Sequence, residues 1–309
     1  MSCSVPVSTF TDLEKDVRHR LLTQCTVTSD LTREKIECFK VINDRAFLPL
    51  YYMEQNYPAL CEQRQYKALS TTETTFTLRD YQLAVKKEVD EIMSTFHSIL
   101  LSLHCGWGKS YFAILYALQL GLQTLVTVYR VSHLDQWKDS IKSVNKSLKV
   151  QVLESKTAVK PDMDFYLILG ENLAHRSPDE FQSVGTFIVD ECHMFCTPSM
   201  SQSFFRVQPK YAMGLSATPF RTDRLDHILQ LHFGYSMIRR KLQRPFNVYK
   251  YTTKMKPETR ETARGDLDWS FVINSQAQRP ERNVLIVKLC QFFRNRTIMI
   301  LTKRVELHG

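Results

Sequence analysis

Residues 98–110 read SILLSLHCGWGKS, and residues 111–120 continue as YFAILYALQL. A six-residue apolar run, a short loop with two glycines, and Lys-Ser opening a second apolar run give the order strand, loop, helix. Glycines at 106 and 108 let the backbone turn so that successive N–H groups converge on a phosphate oxygen. The start of the helix adds the positive end of its dipole. Lys109 can then reach the outer phosphates of a nucleoside triphosphate, and the Ser110 hydroxyl can ligate Mg²⁺. Gly106, Trp107, Gly108, Lys109 and Ser110 are therefore the candidate phosphate-binding residues, for ATP or GTP. The pattern GxxxxGK[ST] has glycine at its first position, where this chain has Leu103.

Outward from this loop the same alternation continues. Strand-like runs are expected at Thr124–Val128, Lys149–Leu153, Tyr166–Leu169, Phe187–Val189 and Tyr211–Leu215, with room for crossover helices between them. Upstream, Val85, Val89, Ile92, Met93 and Phe96 fall on one helical face. Continuous apolar strands alternating with helices indicate an α/β fold, a parallel sheet covered on both faces. Such sheets bind ligands at the carboxyl ends of their strands. After Phe187–Val189 come Asp190-Glu191-Cys192-His193. A carboxylate at a buried strand end can hold Mg²⁺, and the next one can orient and deprotonate water. Alone these would be two solvated acids; 80 residues beyond a phosphate loop they are candidate metal and catalytic groups. Ser216-Ala217-Thr218-Pro219, after Tyr211–Leu215, reads by itself only as a turn.

Composition bounds the alternatives. With 43% hydrophobic and 24% charged residues the chain is of ordinary globular type. No apolar stretch approaches the roughly 20 residues of a membrane span, and Met1–Thr11 has no secretory pattern. A soluble, intracellular protein without a membrane partner is expected. The eight cysteines form no CxxC pair. Cys192-His193-x-x-Cys196 offers too few ligands for tetrahedral zinc. Residues 221–309 carry 18 Lys and Arg against 8 Asp and Glu, a net of +10, which leaves −1 for the first 220. Such an excess suits a polyanion, and an ordinary solvated basic surface equally well. Residues 1–75 show no chemistry and read as an accessory N-terminal region, with the polar run Ser70–Thr75 as a linker.

Taken in order, Leu78-Arg79-Asp80-Tyr81-Gln82, the loop to Ser110, Asp190–His193 as a DExH box and Ser216–Pro219 as a SAT motif resemble superfamily 2 DEAD/DEAH-like helicases and translocases. The Cys-Gly-x-Gly-Lys-Ser loop and the run GLSATPFR are most similar to the XPB-type branch. That branch includes helicases of large cytoplasmic DNA viruses, the poxvirus transcript-release helicase among them. The resemblance implies a RecA-like phosphate-loop domain and assigns roles. Gln82, with Arg79, would read the adenine edge, favouring ATP over GTP. Lys109 and Ser110 would take the phosphates and Mg²⁺, Asp190 the metal, and Glu191 would be the general base. His193 would hydrogen-bond toward Ser216 and Thr218, coupling nucleotide state to the nucleic-acid surface. The run Thr124–Arg130, ending in Gln136-Trp137, matches the strand and loop with which the family grips the nucleic-acid backbone, with Arg130 as a phosphate contact; Tyr129 stands where relatives carry proline.

The resemblance also implies an organisation: an accessory region (1–75), the RecA-like ATP-binding domain (76–235), a linker or excursion (236–282) and the opening of a second RecA-like domain (283–309). In that opening, Leu285, Leu289, Phe292 and Phe293 would form a helix face and Thr297–Leu301 a strand ending at Thr302-Lys303-Arg304. The family's transition-state arginines have no counterpart in the sequence, so the chain alone is expected to hydrolyse ATP poorly. Expected partners are nucleic acid (DNA ahead of RNA), a second subunit supplying the other RecA-like half, and transcription machinery. For a viral protein the setting would be host cytoplasm or virion. Two other readings stand beside the helicase: a duplex translocase that separates no strands, and a motor remnant serving as a nucleic-acid-binding or docking module.

Overall fold

The computed structural model describes residues 1–242 and 247–301. Its first 60 residues form β1 (Ser2–Pro6), α1 (Val7–Asp12), α2 (Lys15–Gln24), β2 (Thr26–Thr28), β3 (Lys35–Glu37), β4 (Lys40–Ile42), β5 (Arg45–Pro49) and α3 (Leu50–Asn56). β5 is the centre of a three-stranded antiparallel sheet between β1 and β4, while β2 and β3 pair separately. The β4–β5 hairpin closes on Asn43 and Asp44, both with positive φ (47° and 58°). Asn and Asp tolerate that region, which two-residue hairpin loops require. Strands this short do not stand alone. Their apolar side chains instead join the larger body: Met1, Val5, Leu48 and Met53 share one buried cluster with Phe187, Phe204 and Phe233. Each such side chain contributes roughly 1.5–3 kcal/mol when fully buried. The Ser2 N–H also donates to the Val207 carbonyl at 3.0 Å.

The central sheet consists of β6 (Ser98–Leu103), β7 (Thr124–Val128), β8 (Val150–Leu153), β9 (Phe165–Leu169), β10 (Thr186–Asp190), β11 (Tyr211–Ser216) and β12 (Met237–Arg240). Their spatial order is β12-β6-β11-β10-β7-β9-β8, and every pairing is parallel. Every residue of β6, β7 and β10 is buried, because both faces are covered. Alternate residues divide between two cores. Ile99, Leu101, Val126 and Ile188 pack with α4 (Asp80–Phe96), α5 (Lys109–Leu120) and α6 (Val131–Val144). Leu100, Leu125, Phe187 and Val189 pack on the opposite face, which includes α7 (Gly170–Ala174) and α8 (His227–Phe233). This is a RecA-like α/β fold preceded by a small β-rich N-terminal element.

The expected strands appear within a residue or so of their sequence limits, and α4 buries Val85, Val89 and Met93 along the expected face. β12, at the sheet edge beside β6, lies past residue 235, where the sequence suggests an excursion. The polar run Ser70–Thr75 lies along the sheet body. Ser70 donates to Asp164 from its N–H (2.6 Å) and its hydroxyl (2.8 Å), and Thr74 Oγ1 donates to the Val144 carbonyl.

Contacts divide the chain into Met1–Gln243 and Arg244–Gly309. In the second unit, Asp268 caps α9 (Trp269–Ala277) by accepting the Phe271 N–H at 3.0 Å, and α10 (Pro280–Phe292) opens on a proline. The helix expected around Leu285, Leu289 and Phe292 is present, but none of its residues is buried. Thr297–Leu301, expected as a strand, forms none. An apolar run needs a neighbouring strand to satisfy its N–H and C=O groups, and no described strand pairs with it. Thr302-Lys303-Arg304 lies outside the described residues. Among the described residues, no helix is long and apolar enough to cross a membrane.

Candidate nucleotide site

β6 runs directly into the loop His104–Gly108, and α5 begins at Lys109. Gly106 and Gly108 adopt φ of +78° and +94°, which any Cβ would strain. Gly108 is fixed twice over, because a Cβ there would meet Gln82 Nε2 at 2.8 Å. Lys109 Nζ donates to the Leu103 carbonyl at 3.1 Å, which holds the ammonium over the loop it closes.

The Arg79–Gln82 segment lies against the same loop. Gln82 is buried; its Oε1 accepts the Arg79 N–H (3.0 Å) and its Nε2 donates to the Trp107 carbonyl (3.3 Å). Tyr81 donates from its hydroxyl to that carbonyl (3.1 Å), receives a hydrogen bond from Arg79 and meets the Trp107 ring edge-on. Gln82 and Arg79 are thus fastened to the phosphate loop.

β10 carries Asp190 to the carboxyl edge of the sheet. Glu191 then takes the left-handed conformation (φ 48°), at a cost of order 1–2 kcal/mol for a residue with a Cβ. Strain of this kind persists where the surroundings fix it, and here it breaks the strand direction immediately after Asp190. Asp190 Oδ1 accepts the Glu191 N–H at 3.1 Å, and Oδ2 accepts Trp137 Nε1–H at 2.9 Å. Loop and carboxylates converge on one cavity of about 370 Å³. Gly106, Gly108, Lys109 and Ser110 line one side, Asp190 and Glu191 another, and His133, Gln136, Trp137 and Ser140 of α6 a third. An ammonium, a hydroxyl, two carboxylates and a glycine loop at a helix N-terminus fit a polyphosphate with its divalent cation.

From this cavity a polar chain leads to the end of β11. His193 Nδ1 lies 3.4 Å from Glu191 Oε2 and shares a 2.9 Å hydrogen bond with Ser216 Oγ. Thr218 joins through its backbone N–H, which donates to Ser216 Oγ at 3.0 Å. Arg221 donates to the His193 carbonyl and pairs with Asp223. Burial pushes the His193 imidazole below its ordinary pKa, with Glu191 opposing and Arg221 adding to the shift. Arg130 stands apart, exposed at the carboxyl end of β7 as the N-cap of α6. Cys192 and Cys196 are buried, and Cys196 donates from its thiol to the Cys192 carbonyl.

Of the α6 wall, the sequence reading reached Gln136 and Trp137 only as part of the family's backbone grip; the structure places both against the cavity, with His133 one turn before Trp137.

These features define a RecA-type phosphate-loop NTPase. Residues 75–221 match the family described as "Type III restriction enzyme, res subunit". The chain is 31% identical to "Putative helicase 161L" of Invertebrate iridescent virus 6, over 99% of this chain and 70% of that protein. It is 30% identical to "Putative helicase 109L" of Invertebrate iridescent virus 3, over 68% of each. Among solved structures, the SWI2/SNF2 ATPase core of Sulfolobus solfataricus, in complex with dsDNA, aligns with a TM-score of 0.46 at 18% identity, covering 55% of this chain and 38% of that one. The chain belongs to the superfamily 2 helicase-like family that includes the two iridescent virus proteins.

Proposed function

We propose that this chain is the ATP-binding part of a superfamily 2 nucleic-acid helicase or translocase, DNA-directed and serving viral transcription or replication. The observation that carries the reading is the convergence of Lys109, Ser110, Asp190 and Glu191 on one cavity. Lys109 and the loop N–H groups would hold the phosphates, and Ser110 and Asp190 would hold Mg²⁺, which neutralises charge on the phosphate oxygens. Glu191 would orient and deprotonate the attacking water. Gln82 and Arg79, fastened to the loop through Trp107, would recognise adenine. His193, Ser216 and Thr218 would relay nucleotide state toward the nucleic-acid surface, with Arg130 on a backbone phosphate. The GLSATPFR run supports placement near the XPB-type branch.

No arginine lines the cavity among the described residues. Transition-state arginines contribute about 10³–10⁵ in rate in related phosphoryl-transfer enzymes. Turnover without such arginines would therefore be slow, and a second RecA-like half supplied by another subunit would raise it. The test is Mg²⁺-dependent ATP hydrolysis with and without single-stranded and duplex DNA and RNA, beside Glu191→Gln. Nucleic-acid-stimulated turnover abolished in the variant supports the motor; the stimulating polymer identifies the track. Nucleic-acid binding indifferent to ATP and to Lys109→Ala would favour the docking-module reading instead.

A further inference from the structure

Helix α6 contributes a side chain that the phosphate-loop and carboxylate motifs do not explain. Trp137 is 1% exposed and belongs to the apolar core cluster that includes Val126 and Ile188. Phenylalanine would fill much of that volume. The indole differs in one respect, its N–H, and that group donates to Asp190 Oδ2 at 2.9 Å. With the Glu191 N–H on Oδ1, each oxygen of the carboxylate is held by one donor from a different element. An ionised carboxylate offers about four lone-pair directions, so both oxygens keep capacity toward the cavity.

One turn earlier on the same face, His133 Nδ1 lies 3.9 Å from the same Oδ2. That nitrogen is buried without a hydrogen-bond partner, and His133 lines the cavity. Positions i and i+4 of α6 thus both address the carboxylate that would anchor the metal. A carboxylate on a strand end has free χ1 and χ2 rotation unless something fixes it. The indole, buried in the core cluster, cannot follow it freely.

We propose that Trp137 is a positioning residue: its indole N–H fixes the rotamer of Asp190 so that the carboxylate is preset to receive the nucleotide-bound Mg²⁺. The proposal rests on the nucleotide-site reading above. Its consequence falls on the metal-dependent part of nucleotide affinity and spares the part due to the phosphate loop.

The test compares affinity for a fluorescent ATP analogue in Mg²⁺ and in EDTA, for the wild-type chain and for Trp137→Phe. The wild type should bind more tightly with Mg²⁺. Trp137→Phe should keep its EDTA affinity within about twofold and lose roughly tenfold in Mg²⁺, the order expected for one hydrogen bond to a charged group. In an Asp190→Ala background, Trp137→Phe should change neither value. A full Mg²⁺ increment in folded Trp137→Phe would overturn the proposal, as would an equal loss in Mg²⁺ and EDTA. A wild type that binds in neither condition would instead sink the nucleotide-site reading itself. A measurement on the native sequence covers the case in which the variant fails to fold. In ¹⁵N-indole spectra of the three tryptophans, assigned by Trp107→Phe and Trp269→Phe, the Trp137 N–H should shift when Mg²⁺ is added to the ADP-loaded protein. An unmoved Trp137 resonance, with Mg²⁺ bound, contradicts the proposal.

Discussion

Replacing Gly108 by alanine tests whether the phosphate loop and the Gln82 segment form one rigid body. At φ +94° a Cβ is strained, at roughly 1–2 kcal/mol. The new methyl would also stand 2.8 Å from Gln82 Nε2. Gln82 cannot move away freely, since its amide holds the Arg79 N–H and the Trp107 carbonyl. Losing those hydrogen bonds adds about 0.5–1.5 kcal/mol each. The total is about 2–5 kcal/mol, and the clash and the strain can be separated. Urea unfolding of Gly108→Ala should show the full loss. In a Gln82→Ala background the same substitution should cost only the strain, so the two changes should couple by about 1 kcal/mol or more. ATP affinity should fall in Gly108→Ala in both backgrounds, because the loop N–H groups are re-aimed. Strict additivity of the two substitutions, or a Gly108→Ala protein as stable as wild type, would refute the reasoning.

Ser216→Ala should leave ATP binding within about twofold while reducing the stimulation of ATPase by nucleic acid, because it removes the hydroxyl joining His193 Nδ1 to the Thr218 N–H; unchanged stimulation would argue against the relay. His232 is fully buried and its pKa is pushed down to about 3, by burial first and a nearby positive charge second, with the Met1 carbonyl opposing. In the unfolded chain the ring protonates near 6.5. Below that pH the unfolded state holds one more proton, so stability should fall by up to about 1.4 kcal/mol per pH unit between roughly pH 6 and pH 4. His232→Phe, packed against Phe204 and Phe205, should flatten that slope in urea midpoints measured across the range; an identical slope in the variant would assign it to other groups.

Much of the central sheet was legible because its strands are buried on both faces and therefore apolar throughout, as in Ser98–Leu103. The order of motifs likewise pointed to the strand ends that the structure brings to one cavity. Three things were not legible. The first is the α6 wall: Gln136-Trp137 matches the family's backbone grip in sequence, and nothing in residue type shows that the Trp137 N–H reaches Asp190. The second is the N-terminal element, whose strands of three to five residues carry weak alternation and pack through scattered side chains such as Met1 and Met53. The third concerns Thr297–Leu301, apolar enough for a strand yet lacking a neighbouring strand among the described residues, since periodicity reports amphipathic pattern and carries no information about pairing. Glu191 was singled out from its neighbours in sequence, while its left-handed backbone, which sets its direction, has no signature in residue type.

The most direct test of the central claim is calorimetric titration of the wild-type chain and of Lys109→Ala with ATP in the presence of Mg²⁺. Lys109 contributes no core packing, so both proteins should melt at similar temperatures. The account predicts saturable binding by the wild type and a loss of at least about tenfold in Lys109→Ala, the scale of one charge-assisted contact to phosphate. Equal affinity in the two folded proteins, or no binding by either, would contradict it.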